Sequence, residues 1–90
     1  MDFPFSERQV SSNCFLREFN KDVDSSELIW HMDREDRYVT VKSGSNWRLQ
    51  MDNELPVILE TKKVYFIPKF TYHRIIKGST KLIIEVKKII

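Results

Sequence analysis

The sequence predicts an all-β fold, a single small β-barrel of about eight short strands with no long helix. Two observations predict this fold: apolar and polar residues alternate with a period of two, and turn-forming residues separate the apolar runs at short intervals. No stretch carries the period of an amphipathic helix. A closed barrel also removes the exposed sheet edges that a domain of 90 residues has little material to cover.

The first four strands are predicted from short apolar or alternating runs. Residues 14–16 read CFL and residues 27–31 read ELIWH, and both runs are short enough for strands. Residues 38–41 are β-branched and aromatic, and they end at the turn-forming stretch SGSN. Residues 47–51 read WRLQM, so one face is apolar and is assigned to the core, while the other is polar and faces outward.

The last four strands follow turn signals in the same way. Residues 55–60 contain a proline near their start, which suits an edge strand or a first strand position. Residues 64–67 end just before a second proline, and residues 72–76 follow it. The turn KGS then precedes residues 81–90, the longest predicted strand.

Composition indicates one domain over residues 1–90 and excludes several function classes. The hydrophobic fraction of 41% is ordinary for a globular chain, and no apolar run approaches the roughly 18–20 residues that span a bilayer. We therefore expect no membrane partner. The start of the sequence lacks a basic segment followed by an apolar one, and the single cysteine, Cys14, suits a reducing compartment, so we expect a cytoplasmic protein.

The charge pattern argues against a nucleic-acid partner. The net charge is only +2, and basic and acidic residues are mixed along most of the chain. The lysines near the C-terminal end surround apolar positions, as on the solvated side of a strand. A nucleic-acid surface would need denser basic clustering together with aromatic residues.

Two histidines and one aspartate are the candidate metal ligands. His31 and Asp33 are two residues apart, so in a strand both side chains would share a face. With His73 they would form a site of two histidines and one carboxylate, which typically holds Fe(II) and leaves coordination positions open. The alternative to metal binding is that the histidines are only surface or hydrogen-bonded residues, as histidines at strand ends often are.

The wider spacing resembles the cupin superfamily. The first cupin motif runs G-x5-H-x-H-x(3,4)-E-x6-G, and the stretch HMDREDRYVTVKSG places His31 at its first histidine and Gly44 at its closing glycine. The second motif runs G-x5-P-x-G-x2-H-x3-N, and the stretch KKVYFIPKFTYHRIIK supplies Pro68 and His73 in register. The resemblance covers about residues 27–88. It implies a barrel of the cupin type, a double-stranded β-helix or jelly roll, over residues 12–90, with residues 1–11 as an arm packed on the barrel or on a partner subunit.

The sequence also departs from the motifs at several positions. Asp33 stands at the second histidine and Lys77 at the final asparagine. Lys62 and Phe70 replace two glycines, so we expect the turn between Pro68 and His73 to differ in shape, because glycine provides a positive φ there.

Arg37 stands where the motif has its glutamate, and a guanidinium cannot ligate a metal. It could pair with Asp33 and hold the interior together without metal, or grip an anionic substrate beside the metal. A slip of one residue in strand register would instead turn it outward. Glu35 or Asp36 could replace the missing glutamate, although a solvated turn is the more ordinary interpretation of both.

The resemblance and the residues together predict a metal-binding protein. The expected ligands are His31, Asp33 and His73, the ion is divalent (Fe, Mn, Ni or Zn), and Arg37 and Tyr72 are the expected substrate-binding residues. If the protein is an enzyme, a reaction of the non-haem Fe(II) oxygenase type on a small anionic molecule is favoured. The alternative is a metal-free binding or structural cupin with an Asp33–Arg37 ion pair.

Homodimerisation is also expected. Cupins commonly dimerise, and the chain is short for a self-sufficient domain. Trp30, Met32 and Phe66 are predicted to face outward from the barrel, where a partner subunit would cover them.

Overall fold

A computed structural model describes residues 3–90 of the chain. The first two residues of the predicted arm lie outside this part. Within residues 3–90 the chain forms eight strands and one short 3₁₀ turn, Ser25–Glu27. The strands are β1 (Ser6–Gln9), β2 (Cys14–Phe19), β3 (Asp36–Ser43), β4 (Arg48–Met51), β5 (Val57–Ile58), β6 (Val64–Ile67), β7 (His73–Ile76) and β8 (Leu82–Ile89).

The strands form two antiparallel sheets. The larger sheet has the order β1-β2-β8-β3-β6, and the smaller has the order β5-β4-β7. The prediction of an all-β fold of about eight short strands is therefore confirmed. Within the described residues no helix is long and apolar enough to cross a membrane.

The core lies between the two sheets. Alternate residues of β3, β4 and β8 point inward, and these include Val41, Leu82 and Leu49. Trp47 is fully buried just before β4, and its indole N–H donates to the Thr80 carbonyl at 2.7 Å. The inward face predicted for residues 47–51 is thus the core face, because Arg48 is exposed between Trp47 and Leu49.

One predicted strand, residues 27–31, is not a strand. The Asp24 side chain accepts a hydrogen bond from the Ser26 backbone N–H at 3.0 Å and caps the 3₁₀ turn Ser25–Glu27. The apolar residues after it do not alternate between inside and outside, since Leu28 is buried while Ile29 and Trp30 are exposed. Only His31 forms a single β-bridge, which pairs it with His73.

Residues 6–9 of the predicted arm form the edge strand β1. They pair with β2 in the register Ser6↔Glu18 to Gln9↔Phe15. Arg17 on β2 donates to Glu7 on β1 at 2.5 Å, and the Arg17 guanidinium lies 4.3 Å from the centre of the Phe5 ring. These contacts fix the start of the described chain against the larger sheet.

The left-handed backbone is kept at both positions where the motif glycines are replaced. Lys62 has φ 71° and Phe70 has φ 59°, although a residue with a Cβ adopts this region at a cost. The reason for expecting a changed turn between Pro68 and His73 therefore does not apply at Phe70, and the shape of that turn stays a prediction. Trp30 and Met32 are each 40% exposed, and the homodimer that would cover them stays a prediction.

Candidate metal centre

The two histidines are brought together by backbone pairing. The His31 N–H donates to the His73 carbonyl at 3.0 Å, and the His73 N–H donates to the His31 carbonyl at 2.8 Å. This bridge joins the loop before β3 to the first residue of β7. Their ring centres are consequently only 4.3 Å apart.

Asp33 is held beside the histidines by a second backbone contact. The Phe70 N–H donates to the Asp33 carbonyl at 2.7 Å, so the left-handed Phe70 anchors the loop that carries the aspartate. The candidate ligand atoms of His31, Asp33 and His73 all lie within 4.8 Å of one another. The structure thus brings the three predicted ligands together, although His31 and Asp33 converge through a loop and not through a shared strand face.

Backbone carbonyls orient both imidazole rings in the same way. His31 Nδ1 lies 3.0 Å from the Ile29 carbonyl, and His73 Nδ1 lies 2.8 Å from the Thr71 carbonyl. Because a carbonyl oxygen can only accept, each Nδ1 must carry the hydrogen in these contacts. In this tautomer each ring directs its Nε2 lone pair away from the carbonyl, which is how ligating histidines are commonly held.

The two oxygens of the Asp33 carboxylate face different neighbours. One oxygen, Oδ1, lies 3.4 Å from Arg37 Nη2, and the other, Oδ2, lies 3.4 Å from His73 Nε2. Oδ2 is buried and has no hydrogen-bond partner among residues 3–90. When His73 is neutral, a lone pair on Oδ2 therefore faces a lone pair on His73 Nε2, an arrangement that a cation or a proton between them would satisfy.

Burial favours the neutral form of His73. It lowers the pKa of His73 below 6.5, and the nearby His31 and Arg37 act in the same direction. The hydrogen bond to the Thr71 carbonyl and the charge of Asp33 oppose this shift in pKa. A neutral imidazole can donate its Nε2 lone pair to a metal, so this environment suits a ligand.

Arg37 points inward, and its main partner is Glu35. Its Nε and Nη2 both donate to Glu35 Oε1, at 2.9 and 2.7 Å, while the contact to Asp33 is longer, at 3.4 Å. The side chain of Arg37 is 12% exposed, so the outward orientation that a register slip would give is not present. Sequence reasoning missed Glu35 as this partner, because a charged loop gives no sign of which carboxylate turns inward.

The other candidates lie away from the ligands. The Asp36 carboxylate accepts from the Lys69 N–H at 2.8 Å and so serves the turn before β7, not the metal centre. Tyr72 is 50% exposed and does not line the cavity at the site. Its predicted contact with a substrate stays a prediction.

The three candidate ligands and Arg37 line a cavity of about 580 Å³ between the sheets. Most of the remaining wall is apolar and comes from buried residues of both sheets. These include Val39, Leu49, Leu59, Ile67, Ile84 and Val86. Exposed residues that also line the cavity, among them Phe3, Glu27 and Ile29, mark its opening. This volume suits a small molecule.

Comparison with known proteins gives matches in structure only. No model of a known protein family matches the sequence, and no curated protein is significantly similar to it. Among solved structures, a chain from the crystal structures of the DMSP lyases RdDddP and RnDddQII superposes with a TM-score of 0.72 and 17% identity over 83% of this chain. This chain spans only 36% of that lyase chain.

Two further solved structures are similar at comparable levels. Fe(II)-HppE, in complex with the alternative substrate (S)-1-HPP, gives a TM-score of 0.61 and 16% identity over 82% of this chain and 40% of its own. A cupin domain from Bordetella pertussis Tohama I gives a TM-score of 0.61 and 15% identity over 100% of this chain and 99% of its own. With the two antiparallel sheets, these superpositions show that the chain has the cupin fold.

Proposed function

We propose that this protein binds a divalent metal ion through His31, Asp33 and His73. The observation that carries the proposal is the buried Asp33 Oδ2, which has no hydrogen-bond partner within residues 3–90 and faces His73 Nε2 at 3.4 Å. A cation would satisfy both atoms, and the donor set of two imidazoles and one carboxylate suits Fe(II) and related divalent ions. The Fe(II) of HppE, a structural neighbour, supports iron among the candidates Fe, Mn, Ni and Zn.

The bound ion would supply Lewis acidity and open coordination positions beside the cavity. The protein's own residues would do the rest. The carbonyls of Ile29 and Thr71 hold the two imidazoles in the ligating orientation, and the apolar wall excludes water from a bound small molecule. If the protein is catalytic, we propose an oxygenase-type reaction on a small molecule held in this cavity.

The metal-free alternative has one observation in its favour. Asp33 Oδ1 lies 3.4 Å from Arg37 Nη2, so an ion pair exists without any metal. However, the shorter hydrogen bonds of Arg37 go to Glu35, and Asp33 Oδ2 points away from Arg37 toward His73. Without a metal, Oδ2 would be satisfied only if His73 took up a proton, and burial of His73 lowers its pKa and so disfavours this, which makes the metal-binding function the better supported one.

Metal analysis of protein purified without chelator tests the proposal. We expect about one equivalent of a divalent metal per chain, and a fall in the thermal midpoint when EDTA removes it. A ligand present at 100 times its Kd stabilises a protein by about 2.7 kcal/mol, which shifts the midpoint of a domain this small by roughly 10–20 °C. Metal at trace level only, with a midpoint unchanged by EDTA and by added Fe(II), Mn(II), Ni(II) or Zn(II), would contradict the proposal.

Two variants locate the ion. His73→Gln should lose the metal, because an amide is a poor replacement for an imidazole ligand. Asp36→Asn is the matched control, since Asp36 lies close in sequence but its carboxylate is used by the Lys69 N–H. Retention of a full equivalent by His73→Gln would place the ion elsewhere.

A further inference from the structure

We infer that the cavity takes an amphipathic monoanion, a small molecule with one carboxylate-like head and an apolar body. The inference rests on the proposed function, because the head would bind at the metal. It goes beyond it by specifying the charge and polarity of the ligand. In this inference the metal ion, and not Arg37, binds the negatively charged head of the ligand.

The walls of the cavity determine the polarity of the body. Away from the ligand cluster, the wall is formed by buried apolar side chains such as Val39, Leu59 and Val86. Hydroxyl groups of a sugar or a nucleotide would lose water there without gaining hydrogen-bond partners, and that costs free energy. An alkyl or aryl body would instead be favoured by burial of its apolar surface.

The charges at the site determine the charge of the head. Arg37 is compensated by Glu35, with which it makes two hydrogen bonds, so this pair carries no net charge. A divalent ion ligated by Asp33 and two neutral histidines keeps one uncompensated positive charge. His73 is buried and Asp33 is partly buried, whereas His31 is exposed, so solvent screens this charge only in part, and a single negative charge on the ligand head would cancel it.

Among residues 3–90, the two other charged residues that line the cavity do not change this balance. Arg17, which also lines the cavity, is paired with Glu7 at 2.5 Å. Glu27 lines the opening but is exposed, so solvent screens its charge. A dianionic head such as a phosphate monoester would leave one excess negative charge beside Glu35 and Asp33. The monoanion is therefore favoured over both a neutral head and a dianionic one.

Calorimetric titration of the Zn(II)-loaded full chain tests the inference. Zinc is redox-inert, so binding is measured without turnover. The probes are butanoate, hexanoate and octanoate, with octanamide as the neutral analogue and octanedioate as the analogue that carries a second charge into the apolar part. We expect affinity to rise about fourfold for each added methylene, and octanamide and octanedioate to bind at least about tenfold more weakly than octanoate.

Two neighbouring isoleucines on β7 provide a matched pair of variants. Ile75 lines the cavity, whereas Ile76 does not, and both are partly buried. Ile75→Phe should weaken octanoate binding at least tenfold while leaving Zn(II) binding intact, and Ile76→Phe should change neither. Thermal unfolding of both variants establishes that each is folded. Octanoate binding unaffected by Ile75→Phe in the folded protein would overturn the assignment of this cavity.

The failures of the two proposals are distinguishable. Zn(II) binding without any gain from butanoate to octanoate, or with octanamide as tight as octanoate, overturns the ligand class and leaves the metal site standing. Absence of Zn(II) binding in the titration with metal alone overturns the proposed function, and the inferred ligand class falls with it.

Discussion

Replacing Asp33 by asparagine separates a metal ligand from a structural ion-pair partner. In the metal-free protein Asp33 is a buried carboxylate with an unpartnered Oδ2, and its contact with Arg37 is long, at 3.4 Å. Arg37 keeps its two hydrogen bonds to Glu35 when the charge of Asp33 is removed. We therefore expect Asp33→Asn to leave the metal-free protein as stable as the parent or to stabilise it slightly.

The magnitude follows from the groups involved. A buried polar atom without a partner costs about 1–3 kcal/mol, and asparagine is cheaper to bury than a carboxylate, so a gain of about 0–1 kcal/mol is expected. The structural ion-pair model predicts the opposite sign, because removing one partner of a buried pair costs about 3–5 kcal/mol. Metal affinity should fall at least about 100-fold, since loss of even an outer-shell partner costs 10–100-fold.

Urea unfolding in the presence of EDTA measures the free energy of unfolding of the metal-free protein, with the fluorescence of the buried Trp47 as the signal. Zn(II) titration measures the affinity. Asp36→Asn controls for the chemical change, because the amide oxygen can still accept from the Lys69 N–H. A loss of 3 kcal/mol or more (about the lower end for a broken buried pair) for metal-free Asp33→Asn, with Zn(II) affinity unchanged, would refute the reasoning.

Three further predictions concern titration and the backbone. The pKa of His73 is lowered below 6.5 in the folded chain, so as the pH falls the unfolded chain takes up its proton first. The free energy of unfolding of the metal-free protein should therefore decrease as the pH falls below about 6.5, and His73 should not change it above that pH. In a series of urea midpoints against pH, His73→Gln should remove this decrease. Lys62 has φ 71°, so Lys62→Gly should leave the stability unchanged or raise it by up to about 1 kcal/mol in thermal unfolding. Lys63 has no positive φ, so Lys63→Gly should destabilise the protein by about 0.5–1 kcal/mol. Equal losses of stability for the two variants would argue against the left-handed turn. Gly78→Ala would place a methyl group against the Ser45 carbonyl and the Trp47 ring, so urea unfolding should show a loss of about 2–4 kcal/mol in the free energy of unfolding. A loss below about 0.5 kcal/mol would contradict the close packing around Gly78.

The sequence predicted strands well where alternation coincides with burial. In β4 and β8 buried positions alternate with less buried ones, as at Leu82, Ile84 and Val86, so the period of two identifies both strands although the residue between Leu82 and Ile84 is also apolar. β1 was not predicted as a strand because all four of its residues are exposed and show no apolar period. Residues 27–31 were predicted as a strand because an apolar run does not reveal that a capped 3₁₀ turn begins it.

The convergence of His31, Asp33 and His73 was predicted from motif spacing, and part of the reasoning behind it was wrong. His31 and Asp33 do come together, but the β-bridge to His73 and the hydrogen bond from Phe70 to Asp33 place them, not a common strand. The pairing of Arg37 with Glu35 could not be predicted, because it depends on how one loop turns its side chains. Motif spacing records which residues converge, whereas side-chain pairing in a charged loop is decided by tertiary contacts.

Anomalous diffraction at the zinc edge, from crystals of the Zn(II)-reconstituted protein, tests directly whether His31, Asp33 and His73 hold a metal. We expect a single strong peak bounded by Nε2 of His31, Nε2 of His73 and the Asp33 carboxylate, at about 2.0–2.2 Å from each. We also expect that Arg37 stays on Glu35. No peak between these residues at saturating zinc, with Asp33 hydrogen-bonded directly to Arg37, would contradict the account and establish the metal-free alternative.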